Sequence, residues 1–353
     1  MSKYQGSTDG TSGAPLLSIC IATYKRAAFI AATLDAILAG LPERVEVVVL
    51  DGASPDNTRE VVERYTCRTD SVRYIRESTN SGVDQDFDKA VLHARGEFCW
   101  LMSDDDILVP GAVARVLESL EPGLDLLVVN AQIRSADLCV VLSPRMLEFS
   151  DDRHYDVDSR DSFLADVGNF LSFIGGVVIR RSRWLERERE RYFGTLFIHV
   201  GVIFQAPLQN IRVLADPLVM IRYGNAMWSS RGFEIWMFKW PDLIWSFGHL
   251  SDSAKLRVVP REPWRQWRRL TMYRAIGAYT YADFRRFFKE KGRGGFLQCL
   301  ISVLPAAAAN AAIALYWYLA NPRARAGVYD LVRSSNASSL TRLIARRLNI
   351  PSR

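Results

Sequence analysis

Apolar runs of strand length alternate with stretches of helical spacing along the first hundred residues. Leu16-Leu17-Ser18-Ile19-Cys20-Ile21-Ala22 has a buried-strand pattern with Thr23-Tyr24-Lys25-Arg26 as its polar exit, and from Ala27 to Leu41 the residues Ile30, Leu34, Ile37, Leu38 and Leu41 fall on one helical face. Val45 to Leu50 reads as a second strand ending at Asp51-Gly52-Ala53-Ser54, and Asp56 to Tyr65 as a second helix. Val72 to Arg76 then exits into Asn80-Ser81-Gly82, a helix follows over about Asp84 to Ala94, and Phe98 to Met102 runs as a strand into Asp104-Asp105-Asp106. This alternation predicts an α/β fold, a mostly parallel sheet wound with helices, in which ligands bind beyond the carboxyl ends of the strands.

Each predicted strand delivers polar residues to that edge: Thr23-Tyr24, then Asp51 and Ser54, then Asn80-Ser81-Gly82, then the three aspartates. Any one of these is ordinary turn chemistry. Four in register, the last of them acidic, fit a nucleotide-binding crevice facing a metal better. Adjacent carboxylates repel and cannot be buried unpaired, and a hard divalent cation, Mg²⁺ or Mn²⁺, is the natural partner; the plain alternative is a solvated acidic turn before the next helix. Other phosphate binders are not matched, since the chain has no GxxxxGK[ST] and no GxGxxG after its first strand.

The opening Ser18 to Arg26, Asp51-Gly52-Ala53-Ser54, Asn80-Ser81-Gly82 and Gly96 to Asp106, in this order, resemble the inverting family 2 glycosyltransferases of GT-A fold, over about residues 16–220. The resemblance implies a nucleotide-sugar donor and a Mn²⁺ or Mg²⁺ cofactor. Ala22, Thr23 and Tyr24 would line the nucleoside pocket, with Arg26, Asn80 and Gly82 on the donor side and Asp51 on the base or ribose beside Ser54. Asp106 would be the direct metal ligand, with Asp104 a second ligand nearer the ribose or donor sugar and Asp105 beside them. Asp86 and Asp88 would bind donor sugar hydroxyls, or merely favour the first turn of their helix. Within the family, Gly82 to Ala90 and Trp100 to Asp106 look most like the abequosyltransferase branch, which acts in O-antigen assembly.

Inverting transfer also needs a base for the acceptor hydroxyl. The family commonly uses an Asp or Glu of an acidic motif here, but after the Gly175 to Ile179 strand this chain reads Gly194-Thr195-Leu196-Phe197-Ile198-His199-Val200-Gly201. His199 is the candidate base or a possible metal ligand, since imidazole titrates near neutrality, unless it is a core histidine. Asp161 and Asp166 are alternatives, against a reading as helix-start and surface charge.

Charge changes the picture of the back third. Of 353 residues, those from Arg257 onward hold 18 Lys/Arg against 4 Asp/Glu, leaving 27 against 35 before them, so an acidic front of about −8 precedes a basic back of about +14. Trp228, Trp236, Trp240 and Trp245 could cover an acceptor site or be core, and from Trp264 to Phe288 aromatic and Arg residues interleave as in an interfacial helix on anionic lipid rather than in a nucleic-acid binder. Phe296 to Ala320 is free of charge over 25 residues, long enough to span a membrane. Pro305, Asn310 and basic flanks favour a re-entrant or surface-lying hairpin, with a buried helical pair as the alternative. Five cysteines without CxxC spacing read as small buried hydrophobes in a reducing compartment. The expected layout is a disordered lead-in over 1–15, a catalytic domain over 16–225 and a helical, membrane-associating region over 226–353. The expected function is sugar transfer to a polyprenyl-diphosphate-linked saccharide at the cytoplasmic face of the bacterial inner membrane. A nucleotidyltransferase, or a catalytically idle nucleotide-binding protein, is the alternative.

Overall fold

The computed structural model describes residues 13–225, 231–321 and 325–351. The expected lead-in therefore falls almost wholly outside the described residues, as does Trp228. Strands β1 (Leu17–Thr23), β2 (Val45–Asp51), β3 (Val72–Arg76) and β4 (Phe98–Met102) alternate with helices α1 (Ile30–Leu38), α2 (Thr58–Thr66) and α3 (Val83–His93). β1, β2 and β4 are buried along their whole length, which is why they read as near-continuous apolar runs rather than alternating ones. Glu46, buried within β2, is tolerated because Ser18, Arg73 and Arg95 all donate to it, at 2.7 to 3.2 Å.

Strand order is β3-β2-β1-β4-β9-β6-β10-β5, with β5 (Ile107–Leu108), β6 (Leu126–Arg134), β9 (Val177–Arg180) and β10 (Ile211–Arg222) completing the path; β7 (Val141–Ser143) pairs with β6 and β8 (Arg153–Tyr155) with β10. The first four strands are parallel to one another, whereas β9 lies antiparallel to both β4 and β6, so the sheet is mixed beyond β4. Parallel pairing leaves the exits of β1, β2 and β4 at one edge, with Thr23 directly beside Asp51.

The expected boundary at 225 does not coincide with the end of the core. Ile235, Trp240, Leu243, Ile244 and Phe247 pack into the same apolar cluster as β1, β2 and β4, and the Trp240 ring lies 4.8 Å from that of Phe197. Trp240 is thus core, not a cover for an acceptor. Two further clusters follow, an aromatic one around Phe233, Tyr279 and Phe288, and one around Tyr329, Val332 and Ile344. Among the described residues no single helix is long and apolar enough to cross a membrane; helices Phe296–Val303 and Ala306–Ala320 qualify only as a pair, bent by 99°. Cys20 and Cys99 are buried as expected, but Cys67 and Cys139 are exposed.

Candidate functional site

The first two strand exits are tied into one strained edge. Lys25 and Ala53 both hold left-handed backbones (φ 59° and 62°), fixed by Lys25 N donating to Ser54 Oγ (3.0 Å) and Ser54 N donating to Asp51 Oδ1 (2.7 Å). Strain of this kind persists only where surrounding contacts over-determine it, and it gathers at functional sites. Asp51 is fully buried, with its other oxygen accepting from the Tyr74 hydroxyl and an Arg76 guanidinium 3.7 Å away. Gly52 leaves room for the Asp86 carboxylate: a Cβ would lie 2.5 Å from Asp86 Oδ2 and force it to shift. Asp86, bonded to Ser81 Oγ at 2.8 Å, therefore stands at the same edge, its carboxyl pushed up by burial against the pull of that bond. Asn80 Oδ1 accepts from Gly82 N, whose φ of 91° turns the chain into α3. Ala22 is buried under this edge and Tyr24 half-buried upon it.

All three aspartates after β4 are buried, each to 7% exposure or less, so they are not a solvated turn. Their partner is internal in part. Arg26 donates from Nη2 to Asp105 Oδ2 at 3.0 Å, and its Nε stands 3.4 Å from Asp104 Oδ1. Arg26, expected on the donor side, is a counter-ion of the acidic run. One guanidinium does not compensate three carboxylates. Burial, and then the Asp105 charge, push Asp104 up to about 7 despite Arg26, and the same two causes raise Asp106 to about 7 despite its bonds from Ser103 and from Arg222 N (2.8 Å). Such carboxyls are short of positive charge. Among the described residues no three His, Cys, Asp or Glu side chains form a metal cage. Asp104 and Asp106 nonetheless fit a hard divalent cation, which takes one or two carboxylates and fills its shell with water and substrate phosphates.

Four expected site residues lie elsewhere in role. His199 is 1% exposed, shares its Nε2 hydrogen with Leu171 O at 2.8 Å, packs near Phe197, and is pushed down to about 4 by burial. It is a core histidine, buried away from the acidic edge and placed neither as base nor as metal ligand. Asp88 accepts from Trp184 Nε1 (2.8 Å) and Arg189 Nε (2.7 Å), binding α3 to the segment after β9 instead of facing the strand-exit edge. Asp161 is held low by its bond to Ser251 and joins two helices, and Asp166 meets Tyr155, Arg153 and Arg257. Both are structural.

Arg222, at the end of β10, had no signal in the sequence beyond a basic residue closing a strand. Its Nε donates to Asp105 O at 3.0 Å, its Nη1 to Ala136 O at 2.8 Å, and its guanidinium, like that of Arg26, lies over the Phe29 ring. Asp84 was also missed as a holder of the loop around Leu196: its carboxylate accepts from Leu196 N (2.8 Å) and Ile198 N (3.1 Å), across the left-handed Leu196.

Comparison with known proteins bears on the fold and the family. Residues 18–158 match the model of glycosyl transferase family 2. The abequosyltransferase RfbV of Salmonella typhimurium is 26% identical over 62% of this chain and 69% of its own length. The GalNAc(5)-diNAcBac-PP-undecaprenol beta-1,3-glucosyltransferase of Campylobacter jejuni is 23% identical over 53% of this chain and 60% of its own. Among solved structures, S. aureus TarS 1-349 superposes with a TM-score of 0.50 at 14% identity, covering 90% of this chain and 80% of that one, which speaks for the fold alone. Over residues 18–158 the chain is thus similar to glycosyl transferase family 2, on a sheet of GT-A type architecture.

Proposed function

We propose that this protein is an inverting glycosyltransferase that moves a sugar from a CDP-, UDP- or dTDP-linked donor to a polyprenyl-diphosphate-linked saccharide. The reaction would serve bacterial surface polysaccharide or O-antigen synthesis at the cytoplasmic face of the inner membrane. The observation that carries the reading is the edge where Thr23, Asp51, Asp86 and the under-compensated Asp104 and Asp106 meet. The two relatives, one an abequosyltransferase and one acting on an undecaprenol-linked substrate, support the substrate classes.

In this reading Asp51 and Ser54 hold the nucleoside end, and Asp86, in the first turn of α3, stands on the sugar side. Asp104 and Asp106 would hold Mn²⁺ or Mg²⁺, which when bound offsets the charge developing on the departing diphosphate. Arg26 and Arg222 fix where those carboxylates stand. The test is release of nucleoside diphosphate from each of the CDP-, UDP-, GDP- and dTDP-sugars, with and without a bacterial lipid extract. Release from one donor, stimulated by the extract, is expected. Pyrophosphate release from a nucleoside triphosphate instead, or tight nucleotide binding with no turnover on any donor, would overturn it.

A further inference from the structure

The charge-free stretch is built as two helical arms, Phe296–Val303 and Ala306–Ala320, broken at Leu304-Pro305. On the first arm Phe296, Leu297, Leu300 and Val303 share one face and are exposed, Phe296 to 81%; on the second, Leu315, Tyr316 and Leu319 form another open stripe, Leu319 to 71%. The polar side is fastened inward. Asn310 donates to Ala275 O and Leu331 O (3.3 and 3.0 Å) and accepts from Thr341 Oγ1 (2.5 Å), so a buried amide faces the protein while leucines face out. This inverts the usual helix amphipathicity, and exposed apolar patches mark interaction sites.

The charge around the stripes selects the occupant. Lys289, Lys291 and Arg293 are exposed just ahead of Phe296, and Arg342, Arg346 and Arg347 are exposed on Ser339–Arg347, the helix that packs on the second arm through Thr341. From Pro263 onward the only carboxylates are Asp283, Glu290 and Asp330, and Asp330 accepts from the Tyr223 hydroxyl. A second copy of the chain would set these cations against each other, whereas anionic headgroups over acyl chains match both features. Fifteen helical residues reach only about 22 Å, short of a hydrocarbon core of about 30 Å.

We propose that the two stripes seat the chain flat on an anionic lipid bilayer, as a surface that enters the interface without crossing it. This rests on the reading that the acceptor is lipid-linked. Helix Arg325–Arg333, which carries Asp330, and Tyr223 beside Arg222 then link the lipid-facing arms to the acidic edge.

The test floats the full chain on vesicles of phosphatidylglycerol with phosphatidylcholine, and on phosphatidylcholine alone, at about 0.1 M salt. It is repeated with the double variant Phe296→Asp/Leu319→Asp, whose sites are solvent-exposed and whose Tm should be unchanged. Flotation with the anionic vesicles only, reduced at least tenfold in the variant, is expected. Equal flotation on neutral vesicles, equal flotation of the variant, or an unbound wild type whose dimer the variant dissociates would overturn the proposal. Nucleotide-induced stabilisation of the same variant without vesicles separates the two readings: if it persists while wild-type flotation fails, the surface is wrong and the transferase stands.

Discussion

Arg26 reaches two of three buried carboxylates, so replacing it leaves charges without a partner in a site that water scarcely enters. Breaking a buried pair from one side costs about 3–5 kcal/mol. Arg26→Met should lose stability of that order in urea unfolding, and Mn²⁺ should restore part of it; a loss below about 1 kcal/mol would mean the pair is solvated. The same carboxylates set a pH dependence. Asp104 and Asp106 sit near 7 folded against an ordinary 3.8, so each holds its proton more tightly in the native state. Their contribution to stability is present below the unfolded value and is lost as pH rises through about 7. A bound cation takes the proton's place only once the carboxylates are ionised. Thermal stabilisation by Mn²⁺ should therefore be larger at pH 8 than at pH 6, and an equal effect at both would contradict the assignment.

At the scale of elements, α3 shows what the sequence could and could not tell. Asp84, Asp86 and Asp88 are close in sequence, yet in a helix they fan around the axis: Asp86 meets Ser81 at the strand-exit edge, while Asp84 and Asp88 turn toward the loop at Leu196 and toward Trp184. Spacing placed the helix; its phase against the sheet came only with the packing. The strand exits were legible because each strand ends where buried apolar residues give way to polar ones at a shared edge. His199 was not, because an imidazole in an apolar run has the same letters whether it faces a cleft or the core. The partners of the triplet were not legible either, since Arg26 and Arg222 come from distant strand ends that only the folded sheet brings together. Gly52→Ala tests the donor edge as an element. Its Cβ must displace a bonded, buried Asp86, and a cost of about 1–3 kcal/mol with weakened nucleotide binding is expected, read by urea unfolding and titration. Unchanged binding would remove Asp86 from the donor side.

For the whole molecule, the composition shift near Arg257 suggested an appendage, and the packing carries the front apolar cluster on through Ile235 to Val259, beyond the expected boundary at 225. Trp240 fills the core against Phe197, and Tyr223 OH donates to Asp330 Oδ2 at 2.8 Å from the strand that carries Arg222. Trp240→Ala should cost about 3–5 kcal/mol in chemical unfolding, as a buried aromatic does. A cost below about 1 kcal/mol would return residues 231–259 to a loosely attached region.

The central claim, that the acidic edge binds a nucleotide through a divalent cation, is tested most directly by a thermal-shift panel of CDP, UDP, GDP and dTDP with and without Mn²⁺. It is run on the wild type and on Asp106→Asn, which keeps an acceptor for Arg222 N. A ligand at a hundredfold excess over its Kd stabilises the native state by about 2.7 kcal/mol. The account predicts a metal-dependent shift with one nucleotide that is lost in the folded variant. No metal-dependent shift with any of the four, or one that Asp106→Asn retains, would contradict it.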